Sequence, residues 1–309
     1  MTVPALRIAV DIGGTFTDGV AEEHPGGRIW VGKCLTTPSD PGEGVSTVVA
    51  QLLAKIGGDG SAANVAEFVH GTTLVTNTLI ERKGAETALV TTKGCGDVLD
   101  IRRELRYDLY DLALELPEAI VPADRRIELA ERLDWQGQVL APVDEDDLKG
   151  VVDRLRSMDV DAIAICLLHG YVNDVHERHV AAALARALPG KSISISSRVA
   201  REIREYERMS TVVANAYVQP IVARYLSLLE TRIREIGVPG PLRIMLSSGG
   251  FTSPAAAAET PIQLLESGPA AGVLSAVNAG MQAGIDHILA FDMGGTTAKA
   301  CVSMNGVPD

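Results

Sequence analysis

The sequence predicts an α/β protein, and three observations carry that expectation. Strand and helix patterns alternate along the chain, a meander of strands opens it, and one short phrase occurs twice. The phrase is Asp11-Ile12-Gly13-Gly14-Thr15 near the start and Asp292-Met293-Gly294-Gly295-Thr296 near the end. Each copy follows an apolar run and precedes a segment that reads as a returning strand. The repeated unit is therefore a strand, a Gly-Gly turn and a second strand.

Taken in order, residues 7–11, 17–21 and 28–33 read as three strands, joined at Gly13-Gly14-Thr15 and at Pro25-Gly26-Gly27. A helix over 42–55 stops at Gly57-Gly58, and a strand at 68–70 leads into a helix ending near Gly84. Residues 87–91 form the next strand. Residues 102–116 mix charge with Tyr107 and Tyr110 and have no clean period, so they read as irregular. Strands at 126–133 and 138–143 flank the turn Asp134-Trp135-Gln136-Gly137. An acid-started helix at 144–158, an apolar strand at 162–168, a helix at 176–188 and a strand at 192–196 follow. A boundary is expected at residue 197, giving domains 1–197 and 198–309. Residues 200–237 are the longest helical stretch, which Pro220 is expected to kink or divide. A strand at 241–247 runs into Ser248-Gly249-Gly250. A helix of small residues at 268–284 and a strand at 287–292 then feed the second Gly-Gly turn.

At 309 residues the chain is long enough for two domains. Its formal charge of −12 gives no general attraction for nucleic acid or for an anionic membrane. The opening apolar run is too short for a secretory signal, and the run at 162–168 is far short of a bilayer span. A soluble cytoplasmic protein is expected. Cys34, Cys95, Cys166 and Cys301 are scattered without Cys-x-x-Cys spacing, against a disulfide framework or a zinc ribbon.

Two facing hairpins of this kind make a phosphate clamp. A carboxylate at a strand end can hold a hydrated divalent cation, paired glycines let backbone N–H groups approach phosphate oxygens, and the threonine hydroxyl adds a donor. That combination suits ATP. Asp11 and Asp292 are the candidates for holding magnesium through water, with Gly13, Gly14, Thr15, Gly294, Gly295, Thr296 and Thr297 around the phosphates. Asp18 reads either as a further functional acid or as a strand-surface residue. His70-Gly71-Thr72-Thr73 lies where a strand hands over to a helix, so it either faces an anion or caps the helix. Ser248 and Gly249 pose the same choice between cleft border and plain turn. His169, His176 and His179 match no common zinc spacing, and Asn173-Asp174 reads more simply as a helix cap. Arg102, Arg103 and Arg106 read as solvated surface.

The two hairpins, with Glu266-Ser267-Gly268-Pro269-Ala270-Ala271-Gly272 before the second, resemble the phosphate-1, connect-1 and phosphate-2 segments of the actin-like ATPase superfamily. Within it the chain resembles the hydantoinase A/5-oxoprolinase family. The matching phrases include Asp11 to Asp18, Val69-His70-Gly71-Thr72-Thr73, Thr78-Leu79-Ile80-Glu81-Arg82, Leu89 to Gly94, Arg204-Glu205-Tyr206-Glu207-Arg208 and Asn215 to Pro220. The resemblance implies an actin-like, ribonuclease H-like ATPase lobe with a mixed sheet, plus the start of a second lobe. It also implies ATP and Mg2+, a small cyclic amide (hydantoin, 5-oxoproline or lactam) phosphorylated on its oxygen before ring opening, and a hydantoinase B-type partner subunit. A nucleotide-dependent switch of the actin or chaperone type and a ketone-activating carboxylase subunit are the alternatives. The superfamily places adenosine-binding segments after the second hairpin, where this sequence has only residues 297–309. A fragment of a longer two-lobed protein, with weak or no nucleotide binding of its own, is therefore expected.

Overall fold

The computed structural model describes residues 5–37, 40–57, 62–106, 108–293 and 298–308. The chain divides into two compact units, Met1–Arg82 with Val222–Asp309, and Lys83–Ile221. In the first, β1 (Ala5–Ile12), β2 (Phe16–His24) and β3 (Ile29–Leu35) form the antiparallel meander. Leu6, Ile8, Val10 and Ile12 alternate with outward residues along β1, the period-two pattern of a strand with one face on a core. Helix α1 (Pro41–Ile56) covers that face with Val45, Val48, Val49 and Leu52, and Pro41 sits in its first turn, where an N–H is not needed. β4 (Val65–Thr72) then pairs parallel with β1, and α2 (Leu74–Ile80) follows, ending earlier than Gly84.

The second unit holds β5 (Thr87–Thr92), α3 (Val98–Ile101), β6 (Arg126–Leu129), the short strands β7 (Arg132–Leu133) and β8 (Val139–Ala141), and α4 (Glu145–Ser157). After these come β9 (Ala162–Cys166), α5 (Val175–Ala187), β10 (Ser192–Ile195), α6 (Ser196–Val199) and the start of α7 (Glu205–Glu235). Its main sheet is all parallel in the order β10-β9-β5-β6. Both faces are covered, so β5 and β9 are buried at every residue and read as unbroken runs. Ile163 and Ile165 pack with Leu148, Leu155 and Leu184 on one face. Ala162, Ala164 and Cys166 pack with Met209, Val212 and Ala216 of α7 on the other. The Asp144 side chain caps α4 by accepting from the Asp146 and Asp147 amides.

Pro220 does not divide α7, which is continuous from Glu205 to Glu235. The proline removes one backbone hydrogen bond, and the buried positions around it, Ala216, Val218 and Val222, favour helix strongly enough to carry the element through it. The helix starts at Glu205 rather than near residue 200 because Arg204, at φ 86°, breaks the helical path. Among the described residues α7 alone is long and apolar enough to cross a membrane by composition, and over half of that stretch is buried in the fold, as in a core helix.

The chain returns to the first unit with β11 (Leu242–Met245), parallel to β4, and β12 (Phe251–Thr252). Helices α8 (Pro254–Glu259) and α9 (Ser267–Gln282) precede a separate sheet of β13 (His287–Met293), β14 (Ala298–Met304) and β15 (Val307–Pro308). The larger sheet has the order β12-β11-β4-β1-β2-β3. Within β3-β2-β1-β4-β11 only β2 runs against the rest, the mixed, ribonuclease H-like arrangement implied by the resemblance.

The join into β11 leaves no room for a side chain. A Cβ on Gly240 would lie 2.5 Å from the Ala66 carbonyl carbon and 2.6 Å from the Val65 oxygen, both backbone atoms of β4. Gly240→Ala is therefore expected to cost about 2 kcal/mol or more, read as a lower urea midpoint at unchanged slope.

Candidate functional site

Asp11 stands near the end of β1, opposite Asp18 on β2 and beside Gly71 on β4. The turn after it is closed by Gly13 N–H donating to the Phe16 carbonyl at 2.9 Å. Thr36 fastens the turn from the side: its hydroxyl donates to the Gly13 carbonyl at 2.9 Å and its N–H to the Thr15 carbonyl at 2.9 Å. Just beyond β4, Thr73 donates both N–H and hydroxyl to the Ile12 carbonyl, at 3.1 and 3.2 Å. The loop is thus held by its own Gly13–Phe16 bond and by Thr36 and Thr73.

The first turn of α9 closes on the same carboxylate. A Cβ on Gly268 would lie 3.2 Å from Asp11 Oδ1, and one on Gly71 would lie 2.7 Å from it, so both glycines make room for this group. Among the described residues Asp11 Oδ1 is buried without a hydrogen-bond partner. Burial first, then the Asp18 and Asp292 carboxylates, push the Asp11 carboxyl above the usual carboxylate range, with Lys299 opposing.

A crevice of about 540 Å³ opens here, lined by Asp11, Gly13, Gly14, Thr15, Asp18 and Lys33, with Thr73, Asn77, Gly268, Asp292 and Lys299. Asp292 stands near the end of β13, the first strand of the second copy, and the two copies share a register. Asp11 pairs with Asp18 across β1–β2, and Asp292 pairs with Lys299 across β13–β14. Gly294, Gly295, Thr296 and Thr297 lie outside the described residues.

Two cations enter the site that motif reading missed. Lys33 Nζ donates to Asp18 Oδ1 at 2.7 Å and sits 4.5 Å from the centre of the Phe16 ring. Lys299 pairs with Glu266 at the start of α9. The sequence signal for Lys299 was its place seven residues after Asp292, where the first copy carries Asp18. Lys33 becomes visible only when β3 is set in register against β2, opposite Asp18.

His70 does not line this crevice. It is fully buried, with Nδ1 3.1 Å from the Val10 carbonyl and Nε2 2.7 Å from the Tyr225 hydroxyl. Thr72 is also buried, and its hydroxyl accepts from Leu74 N–H, so this phrase fastens the strand end beneath Asp11 and only Thr73 reaches the lining. Ser248 and Gly249 form the turn between β11 and β12, closed by Leu246 N–H donating to the Gly250 carbonyl, and they do not line the crevice. The three histidines of the other unit do not converge: His176 holds Glu131 at 2.6 Å and His179 holds Glu145 at 2.8 Å. Asp174 is the N-cap of α5 without a side-chain cap bond, and Asn173 before it accepts from Val175 N–H.

Burial lowers the His70 pKa from 6.5 to about 4, the bond to Val10 only partly opposing. A depressed histidine stabilises the fold above its unfolded value of 6.5, and this contribution is lost as pH falls through 4. The loss across that window is expected to be about 3 kcal/mol. Melting curves of the wild type from pH 7 to 4 should show it, and His70→Asn should not.

A family model described as the hydantoinase/oxoprolinase N-terminal region matches residues 7–188, and one described as hydantoinase/oxoprolinase matches 208–309. An uncharacterised protein of Methanocaldococcus jannaschii is 35% identical over 99% of this chain and 45% of its own length. The alpha subunit of caprolactamase from Pseudomonas jessenii is 31% identical over 99% of this chain and 44% of its own length. The nucleotide-free structure of acetone carboxylase superposes with a TM-score of 0.87 at 26% identity, over 98% of this chain and 44% of that one. The chain thus spans less than half the length of these proteins.

Proposed function

Because the chain belongs to the hydantoinase/oxoprolinase family, we propose that it is the ATPase part of an enzyme that opens a small cyclic amide at the expense of ATP. The reaction class is phosphoryl transfer to the amide oxygen, which removes amide resonance and supplies a leaving group before water attacks. The observation that carries this reading is the buried, unpartnered Asp11 oxygen at the wall of a crevice that also receives Asp292. Gly13, Gly14 and Thr15 present the first turn to the phosphates, and Gly294, Gly295, Thr296 and Thr297 belong to the second. Lys33 and Lys299 neutralise charge that grows on the transferring group.

Among the described residues no three acidic, histidine or cysteine side chains gather as direct ligands. Two separated carboxylates suit Mg2+, which keeps most of its water and takes one or two protein carboxylates. Asp11 and Asp292 would hold it, and its charge would offset the burial and the carboxylate repulsion that raise the Asp11 pKa. When bound, the ion neutralises phosphate oxygens during transfer.

The same proposal includes the division into an N-terminal region, 1–197, and an ATPase region, 198–309, a hydantoinase B-type partner and a cytoplasmic location. A ketone-activating carboxylase subunit is the second reading, supported by the likeness to acetone carboxylase. Isotope transfer separates them. The protein with its partner, given ATP and a hydantoin, 5-oxoproline or lactam labelled with 18O at the carbonyl, is expected to release labelled phosphate. Phosphate release that needs a ketone and bicarbonate instead favours the second reading, and release indifferent to all of these substrates overturns both in favour of a switch.

A further inference from the structure

The unit Lys83–Ile221 carries a second cluster of polar groups, at the carboxyl ends of its parallel strands. Open α/β sheets bind ligands at that edge. Here the chain leaves β9 through Leu167, Leu168, His169 and Gly170 and leaves β10 through Ser196 and Ser197, and Arg208 of α7 reaches both exits. The Arg208 side chain is 0% exposed. Its Nη1 donates to the Leu167 carbonyl at 2.9 Å and to Ser196 Oγ at 2.8 Å.

Its other two nitrogens, Nε and Nη2, are buried and meet no acceptor among the described residues. The nearest carboxylate to Nη2, Glu205 Oε1, is 3.9 Å away. Glu177 is already engaged, accepting from Leu167 N–H, Ser196 Oγ and Ser197 N–H. Nε and Nη2 share one edge of the guanidinium plane, the edge that grips a carboxylate with two parallel hydrogen bonds. Ser197 Oγ and His169 Nδ1 are likewise buried without partners, so the free polar atoms of this edge come from three elements. Tyr171 stacks 5.5 Å over the guanidinium and meets His169 edge-on at 6.2 Å. Gly170 passes so close that a Cβ would lie 2.8 Å from Glu177 Oε1 and 3.2 Å from Arg208 Nη1.

We propose that the exits of β9 and β10, closed by Arg208, bind a small carboxylate, held by Nε and Nη2 with Ser197 Oγ and His169 Nδ1 beside it. The site lies wholly within this unit, whereas the phosphate crevice belongs to the other. Binding can therefore be read without nucleotide or turnover.

The test follows the arginine Nε–H resonances of the protein by 15N–1H correlation during titration with sodium acetate, against sodium chloride at equal ionic strength. One resonance is expected to move saturably with acetate alone, and acetate is expected to raise the melting temperature above the chloride control. Arg208→Lys keeps the charge and loses the fork, and should weaken binding on the order of tenfold or abolish it. Ser197→Ala removes a hydroxyl that bonds nothing in the fold, and should weaken acetate binding several-fold with stability unchanged, so the test stands even where Arg208→Lys fails to fold. Acetate that acts no differently from chloride on the wild type overturns the proposal. So does a shift of the same resonance in Glu205→Gln with no acetate response, because Glu205 would then be the partner of that edge.

Discussion

Asp11→Asn is expected to stabilise the fold and, in the full-length protein, to abolish the proposed nucleotide turnover. The Oδ1 of Asp11 is buried without a partner among the described residues, and the carboxylate faces Asp18 and Asp292, so its ionised form is unfavourable in the folded protein without a cation. A neutral amide of the same shape removes that repulsion. Its gain is expected to be about 1 kcal/mol or more at pH 7. The sign with pH is fixed by the raised carboxyl pKa. Below the ordinary value of 3.8 the carboxyl is protonated in both states, and stability is lost as pH rises through the raised folded value. The advantage of Asp11→Asn should thus vanish in acid and open toward neutrality. Turnover, by contrast, should fall by at least about a hundredfold, since the amide no longer attracts the ion. Parallel melting and phosphate-release measurements check both halves. A variant less stable than the wild type at pH 7 would mean that Asp11 is a structural residue.

Glu177→Ala is expected to give the largest loss of stability, about 3–5 kcal/mol. Glu177 is fully buried, and its two oxygens accept from Leu167 N–H at 3.0 Å, Ser196 Oγ at 2.5 Å and Ser197 N–H at 2.8 Å. Removing it strands three donors and leaves the Arg208 guanidinium, 3.8 Å away, without its buried countercharge. Glu177→Gln keeps an acceptor at one position and should lose less. Urea unfolding separates the two, and equal losses would show that charge matters little here.

The meander was legible because its turns are marked by glycine and its strands alternate, and the parallel strands β5 and β9 because unbroken apolar runs suit a sheet covered on both faces. The repeated phrase singled out Asp11 and Asp292, and both line one crevice. Lys33 was not legible, since its place depends on strand register, which a linear pattern does not display. His70 stayed open between an anion contact and a helix cap for a related reason. A polar residue at a strand end looks functional until its cover is known, and the cover is Tyr225, 155 positions away. Pro220 shows the limit of local propensity, since buried neighbours on α7 outweigh one missing hydrogen bond.

The order of the larger sheet also sets a timetable for synthesis on the ribosome. β4 pairs with β1 on one side at once, but its other edge waits for β11, about 170 residues further along. At 5–20 residues per second that is a delay of roughly ten to thirty seconds. Throughout it, the nascent chain carries an open, apolar edge around Phe68 that can recruit a foreign strand. Nascent chains stopped short of Leu242 should therefore be the ones that chaperones hold.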